Sequence, residues 1–206
     1  MILDIHDRWV ICTPTKTGTT SLTALLTQQC SHATKELPVH RPDWDHPVPD
    51  RLMTCRHPLD RWVSMWYFLM RDRSRMHQAA VQGLAPFAAE FFKRYEEYDW
   101  SGRWWADIEA YMWLAPQWMF MERFSPTSLH DVVQDGGVSV AEHLNARYGY
   151  GLSKVPHLRK SRERESWQVV MFKLKQLDTE LYAKLMNWAS LDFMKLRERG
   201  MAYEER

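Results

Sequence analysis

The chain has 206 residues, of which 45% are apolar and 26% charged, an ordinary composition that gives a single domain a full hydrophobic core. Its formal net charge is +1, from 27 Lys and Arg against 26 Asp and Glu. This balance argues against a general nucleic-acid binder, which carries a large basic excess, so any anion site must be local.

Neither the termini nor the cysteines indicate secretion or a membrane anchor. The first residues, MILDIHDRWVICTP, lack the basic segment and long apolar run of a signal peptide. No apolar run approaches the length that crosses a bilayer. Cys12, Cys30 and Cys55 have no C-x-x-C spacing, and the first and last lie in apolar runs, as buried reduced thiols do. We expect a cytoplasmic protein with no membrane span.

Two strand–loop–helix units open the chain. Residues 8–14 are apolar and partly β-branched and predict a buried strand, and residues 19–30 place leucines at helical spacing. Residues 50–58 predict a second strand, and residues 58–72 a helix with proline at its first position. Such units predict an α/β fold in which a central parallel β-sheet is flanked by helices, within one domain of residues 1–206.

The rest of the chain is mostly helical by pattern. A weakly alternating stretch at 117–124 predicts a third strand. Ser139 and Glu142 form a capping box that begins a helix ending at Gly149. A basic loop follows at 152–166, and the remaining predicted helices cover residues 84–98, 103–115, 167–188 and 191–200.

The loop between the first strand and its helix, TPTKTGTTS at 13–21, is a candidate anion site. It is not the P-loop of NTPases, because Lys16 precedes Gly18 and no Gly-Lys pair follows. A helix N-terminus nevertheless offers unpaired N–H groups, and Gly18 lets the backbone approach an anion. Thr19 and Thr20 add hydroxyls, and Lys16 can reach the same anion. The alternative is a plain helix N-cap.

The second strand leads into another candidate, CRHPLDRWVS. Arg56 ends the strand and Ser64 lies near the second turn of the helix, so a guanidinium and a hydroxyl can hold one phosphate from two sides. Both loops fall at the carboxyl ends of parallel strands, where open α/β sheets bind ligands. The alternative is a surface pair between Arg56 and Asp60.

Together the two loops resemble those of sulfotransferases. TKTGTTS resembles the family's 5′-phosphosulfate loop, P-K-x-G-T-T, and RHPLDRWVS resembles its 3′-phosphate loop, R-x-P-x-[DE]-x-x-x-S. The resemblance implies the P-loop-NTPase-like sulfotransferase fold and 3′-phosphoadenosine 5′-phosphosulfate (PAPS) as co-substrate, with no metal. It departs from the family where Thr15 separates Pro14 from Lys16 and where Ser21 replaces a frequent tryptophan.

The resemblance also implies roles for individual residues. Lys16 stabilises the departing 5′-phosphate, and Arg56 and Ser64 bind the 3′-phosphate. The general base is His40, with His46 second and Glu36 third. The residues implied to bind the co-substrate alongside Lys16, Arg56 and Ser64 are Thr17, Gly18, Thr19, Thr20, Ser21, Arg159 and Lys160. For the last two, a solvated charged loop is the alternative.

The expected reaction is transfer of a sulfuryl group to a hydroxyl or amine of a glycan, lipid or small molecule. Two alternatives stay open: a P-loop-type kinase, opposed by the position of the lysine, and a non-catalytic nucleotide-binding module of the same fold. No nucleic-acid partner is expected.

Overall fold

A computed structural model describes residues 2–4, 6, 8–30, 34–36, 48–72, 76–153 and 164–203. The chain forms two compact units. Unit 1 consists of residues 1–56 and 119–160, and unit 2 of residues 57–118 and 161–206. A single domain over residues 1–206 stays a prediction.

Unit 1 is built on a five-stranded sheet in the order β3-β1-β2-β4-β5. The strands are β1 (Ile2–Asp4), β2 (Trp9–Cys12), β3 (Thr34–Glu36), β4 (Asp50–Thr54) and β5 (Ser128–His130). Strand β4 pairs in parallel with both β2 and β5, whereas β1 pairs antiparallel with β2 and β3. The predicted parallel sheet is therefore confirmed for three strands, and two antiparallel strands extend it.

Helices α1 (Thr19–Cys30) and α6 (Val138–Tyr148) supply the core of unit 1 beside the sheet. Helix α1 covers the predicted range and buries its leucines at i, i+3 and i+4, as an amphipathic helix does. The core residues from the strands and the two helices are Ile2, Trp9, Ile11, Leu22, Leu25, Leu26, Leu52, Val140, Ala141 and Leu144. Val10, Cys12 and Met53 are also fully buried, so both faces of β2 and β4 are covered.

Two of the cysteines are buried free thiols, as predicted. Cys12 and Cys55 are inaccessible to solvent. Burial raises the pKa of the Cys12 thiol to about 12, because the thiolate loses its hydration. This thiol is therefore protonated and unreactive at neutral pH.

Unit 2 is helical and has an aromatic core. Its helices are α2 (Pro58–Leu69), α3 (His77–Gln82), α4 (Leu84–Glu97), α7 (Trp167–Leu177) and α8 (Thr179–Glu198). The Trp62 ring lies 5.0 Å from Phe87 and 6.0 Å from Phe91, centroid to centroid, and Trp188 meets Phe91 edge-on. These tryptophans fill the core, the ordinary role of aromatics at helical spacing.

The predicted third strand at 117–124 is wrong, because these residues form helix α5 (Gln117–Phe124). Asp192 accepts hydrogen bonds from the backbone N–H groups of Gln117 and Trp118, at 3.0 and 2.6 Å. A carboxylate on the first N–H groups stabilises a helix start. It comes from a residue 74 or 75 positions away, so the local pattern carried no sign of it. The third parallel strand is β5 instead.

The predicted helix at 103–115 is only partly present. Residues Trp104–Ala106 form a 3-10 turn and Ala110–Leu114 a π-helical turn. Asp107 separates them, since its side chain accepts hydrogen bonds from the N–H groups of Glu109 and Ala110. A short acidic side chain that bonds nearby backbone in this way competes with continuous helix.

The predicted capping box of α6 is wrong, although its C-terminal glycine is confirmed. Ser139 lies inside the helix, and Gly137 occupies the N-cap with a φ of 75°. The carboxylate of Asp135 accepts from the N–H groups of Gly137 and Ser139 and does the capping instead. At the other end Gly149 has a φ of 69°, the left-handed conformation that glycine favours.

Candidate anion-binding site

The loop from β2 to α1 lies at the carboxyl end of the parallel strands of unit 1. The first hydrogen bond of α1 runs from the N–H of Leu22 to the carbonyl oxygen of Gly18, at 3.1 Å. The N–H groups of Thr19, Thr20 and Ser21 precede that bond, and groups in this position have no acceptor within the helix. Together with the helix dipole they favour an anion at this end.

A tight turn at 14–17 sets the shape of the loop. The N–H of Thr17 donates to the carbonyl oxygen of Pro14, at 3.2 Å. Inside this turn Lys16 has a φ of 69°, in the left-handed region that side chains other than glycine avoid. Such a conformation costs about 1–2 kcal/mol, so other contacts must hold it in place.

One such contact is a pair of buried hydroxyls. The Oγ1 of Thr17 donates to the carbonyl oxygen of Pro14 at 2.6 Å and lies 2.6 Å from the Oγ1 of Thr54. Because the single proton of Thr17 goes to Pro14, Thr54 is the donor in the second bond. Both threonines are inaccessible to solvent. The Thr17 side chain and its N–H are therefore both engaged inside the protein, and its predicted contact with a ligand has no support in this geometry.

Gly18 is required by both conformation and space. Its φ is 95°, and a Cβ added there would lie 2.9 Å from the Cγ1 of Val132. Val132 is itself buried after β5. A residue with a side chain therefore fits poorly, and the backbone of the loop passes against Val132.

Thr19, Thr20 and Ser21 form the first turn of α1. Thr20 is exposed, and Thr19 and Ser21 are half-buried. The Oγ1 of Thr19 is shielded from solvent and has no hydrogen-bond partner among the described residues. A buried hydroxyl of this kind calls for an explanation, and a bound anion at the helix N-terminus would provide one.

Arg56 joins the two predicted loops. It follows β4, is 8% exposed, and its Nη1 donates to the carbonyl oxygen of Lys16 at 2.9 Å. The structure thus brings Lys16, Gly18 and Arg56 to one edge of the sheet. In unit 2 the carboxylate of Asp60 bonds the guanidinium of Arg164. The alternative pair between Arg56 and Asp60 stays a prediction.

The roles of the remaining predicted site residues stay predictions. Ser64 lies on α2 in unit 2 and is half-buried. His40, His46, Arg159 and Lys160 lie outside the described residues. Glu36 belongs to β3, and only its backbone is described. Among the described residues, no group of three or more His, Cys, Asp or Glu side chains could hold a metal ion.

Two residues that shape the loop were missed at the level of sequence. Thr54 is the last residue of β4, two positions before Arg56, and Val132 follows β5. The position of Thr54 beside the predicted phosphate loop was a usable signal. Val132 carried none, because β5 has only three residues, two of them polar.

Comparison of the chain with protein-family models, with curated proteins and with solved structures finds no match. Within the described part of the chain, no helix is both long and apolar enough to cross a membrane.

Proposed function

We propose that the protein is a PAPS-dependent sulfotransferase. The observation that supports this proposal is the hydrogen bond from Arg56, the first residue of the second motif, to the carbonyl oxygen of Lys16 in the first motif. A loop that only capped a helix would not require an arginine from the neighbouring strand to lie against it. The positive φ values of Lys16 and Gly18 and the shielded hydroxyl of Thr19 support an anion at the same place.

The proposed reaction is an in-line displacement at sulfur. The bond between sulfur and the 5′-phosphate oxygen breaks, a bond forms between sulfur and the acceptor oxygen or nitrogen, and the acceptor proton passes to His40. The product 3′-phosphoadenosine 5′-phosphate (PAP) leaves. Positioning and electrostatic stabilisation supply most of the rate in transfers of this kind.

Each residue of the loop has a part in this scheme. The N–H groups of Thr19, Thr20 and Ser21 bind the 5′-phosphate oxygens, in the manner of an oxyanion hole. The ammonium of Lys16 neutralises charge that builds on the leaving oxygen. Arg56 binds the 3′-phosphate, the role that the family resemblance also implies for Ser64. Gly18 lets the loop pack against Val132 in the conformation that precedes these N–H groups.

Two measurements test the proposal. Isothermal titration with PAP, ATP and GTP should give binding of PAP in preference to the triphosphates, whereas preference for ATP with magnesium would favour a kinase. Incubation with 35S-labelled PAPS and a panel of glycan, lipid, phenol and amine acceptors should then give a labelled product. Tight binding of PAP with no transfer to any acceptor class would favour a non-catalytic module.

A further inference from the structure

We infer that Thr54 is a positioning residue for the loop at 13–18, holding it in the anion-binding conformation through the hydroxyl of Thr17. The inference assigns a role to a strand residue outside both sequence motifs. Its consequence for nucleotide affinity rests on the proposed function, whereas its consequence for the loop does not.

The hydroxyl pair is the contact that best explains how the turn is fixed. Thr54 donates to Thr17, and Thr17 donates to the carbonyl oxygen of Pro14, so three oxygens form one chain at distances of 2.6 Å. Thr17 and Thr54 are inaccessible to solvent, and Pro14 is buried. Water cannot replace a buried hydrogen bond of this kind, so its loss leaves a buried oxygen without a partner and destabilises the turn.

These hydrogen bonds stabilise the part of the turn with the least favourable backbone conformation, which is that of Lys16. Pro14 and Thr17 are the first and last residues of the turn, and Lys16, with its φ of 69°, lies between them. Thr54 is anchored in turn by the parallel ladder, where it stands opposite His130 of β5. Strand β4 therefore holds the turn through the bond of Thr54 to Thr17, while Arg56 holds the carbonyl of Lys16.

The test compares Thr54→Val, which keeps the shape and removes the hydroxyl, with Thr54→Ser, which keeps the hydroxyl. Amide hydrogen exchange, followed by NMR, gives a readout that needs no ligand. The Thr17 amide bonds Pro14 and reports on the turn, and the Gly149 amide, bonded to Asn145, reports on unit 1 away from it. In Thr54→Val we expect Thr17 exchange to quicken about tenfold relative to Gly149, as the loss of one buried hydrogen bond predicts. Thr54→Ser should restore the wild-type ratio.

Thr127→Val is the matched control for a purely structural loss. The Thr127 hydroxyl donates to the Asp50 carboxylate at 2.8 Å, at the opposite end of β4. Its removal should lower the stability of unit 1 without changing the ratio of Thr17 to Gly149 exchange. An unchanged ratio in Thr54→Val, or the same rise in Thr127→Val, would overturn the inference.

Titration with PAP separates this inference from the proposed function. If both are correct, Thr54→Val weakens PAP binding by about tenfold, and Thr54→Ser and Thr127→Val do not. If the wild-type protein does not bind PAP while the exchange ratio changes as expected, the nucleotide assignment fails and the positioning role stands. If PAP binds the wild type and Thr54→Val equally, a role in ligand binding is excluded.

Discussion

The guanidinium of Arg56 donates to the carbonyl oxygen of Lys16 at 2.9 Å. Two residues that are 40 positions apart in sequence thus share one hydrogen bond at the carboxyl edge of the sheet. The bond links an arginine, which cannot lose its charge in a protein, to the backbone of a lysine in a left-handed conformation. Changing Arg56 should therefore alter the loop as well as any site for an anion beside it.

The first prediction concerns the 3′-phosphate. PAP should bind more tightly than 5′-AMP, because only PAP carries the 3′-phosphate that Arg56 and Ser64 are proposed to bind. Loss of one charge-assisted bond costs about 1.5–3 kcal/mol, so Arg56→Ala should weaken PAP binding by roughly 10- to 150-fold. In the same variant the affinity for AMP should fall less, because AMP loses only the effect of the missing hydrogen bond to the Lys16 carbonyl. Titration calorimetry with both nucleotides measures the ratio.

Arg147→Ala is the control for this prediction, since Arg147 also lies in unit 1 and its side chain is 57% exposed. Its removal changes the net charge equally and should leave the PAP-to-AMP ratio unchanged. Equal affinities of the wild-type protein for PAP and AMP would contradict the assignment of this loop to the 3′-phosphate.

The second prediction separates the charge of Lys16 from its backbone. Lys16→Ala and Lys16→Gly both remove the ammonium and should lower turnover far more than PAP affinity, because that charge acts in the transition state. The glycine variant should be more stable than the alanine variant by about 1 kcal/mol, since only glycine adopts a φ of 69° without strain. Urea unfolding and turnover of labelled PAPS measure the two effects.

Equal stabilities of these two variants would mean that the turn relaxes once the lysine is gone. A loss of PAP binding with unchanged turnover at saturation would mean that Lys16 anchors the nucleotide and does not act on the leaving group.

The third prediction concerns Gly18 and Val132. Gly18→Ala places a Cβ 2.9 Å from the Cγ1 of Val132 and forces a side chain onto a φ of 95°. We expect a loss of about 1–3 kcal/mol in the free energy of unfolding from the backbone conformation, with a further loss from the contact. Adding Val132→Ala removes the Cγ1 but keeps the Cβ of residue 132 at 3.0 Å, so it should recover only a part of the loss that comes from the contact. Urea unfolding of the single and double variants measures both parts.

Gly149→Ala is a matched control, because Gly149 also has a positive φ, of 69°, and nothing lies within 4 Å of its added Cβ. It should destabilise the protein through its backbone alone and leave PAP binding per folded molecule unchanged. If Gly18→Ala binds PAP as tightly as Gly149→Ala does, the close approach at Gly18 does not serve a ligand.

The sequence predicted the parts of the fold that local chemistry decides. The range of α1 follows from the spacing of Leu22, Leu25 and Leu26, and the end of α6 follows from Gly149. Where the structure departs from the sequence pattern, a distant or short-range polar contact decides instead. Asp192 begins α5 from far along the chain, and Asp107 interrupts the helix predicted around it.

In the candidate site, too, local pattern predicted some residues, and contacts between distant residues decided the others. Lys16, Gly18 and Arg56 were found because their residue types and spacing form motifs, and the parallel pairing of β2 and β4 brings the motifs together. Thr54 and Val132 were missed because their importance lies in contacts across the sheet edge, with Thr17 and Gly18. The sequence around Val132 carries no sign of such a contact, and for Thr54 the only signal was its position two residues before Arg56.

The fourth prediction concerns the general base, which lies outside the described residues. If His40 accepts the acceptor's proton, activity should rise with pH through an apparent pKa of roughly 6.5, the ordinary value of an imidazole. His40→Ala should remove that rise and lower the rate by about 10²- to 10⁴-fold, with PAP binding nearly intact. His46→Ala is the control, close in sequence and equally able to titrate. Activity lost in His46→Ala and kept in His40→Ala would reverse the assignment, and activity kept in both would point to Glu36.

The last prediction concerns acid stability, which Asp4 should govern in part. Its buried carboxylate accepts from the guanidinium of Arg8 at 2.9 and 3.1 Å and from the hydroxyl of Tyr150 at 2.6 Å. Burial opposes ionisation, but the hydrogen bonds from Arg8 and Tyr150 outweigh it and lower the pKa of Asp4 to about 2. Since the pKa is lower in the folded state, ionised Asp4 stabilises the fold above its unfolded pKa of about 4, and this stability is lost as the pH falls toward 2. The contribution at neutral pH is about 2 kcal/mol.

Asp4→Asn should therefore lower the free energy of unfolding at pH 7 and flatten its fall below pH 4, so that the wild-type and variant curves approach each other toward pH 2. Asp50 should also contribute to the fall in the free energy of unfolding at low pH. Burial opposes its ionisation too, but hydrogen bonds led by that of His143 outweigh burial and lower its pKa. Asp50→Asn should thus reduce the pH dependence of the free energy of unfolding as well. The two effects should add in the double variant, since the two carboxylates have different partners. Urea unfolding between pH 7 and 3 measures the slopes. A slope in Asp4→Asn equal to that of the wild type would show that Asp4 has the same pKa folded and unfolded, and that its bonds to Arg8 and Tyr150 do not favour the ionised form.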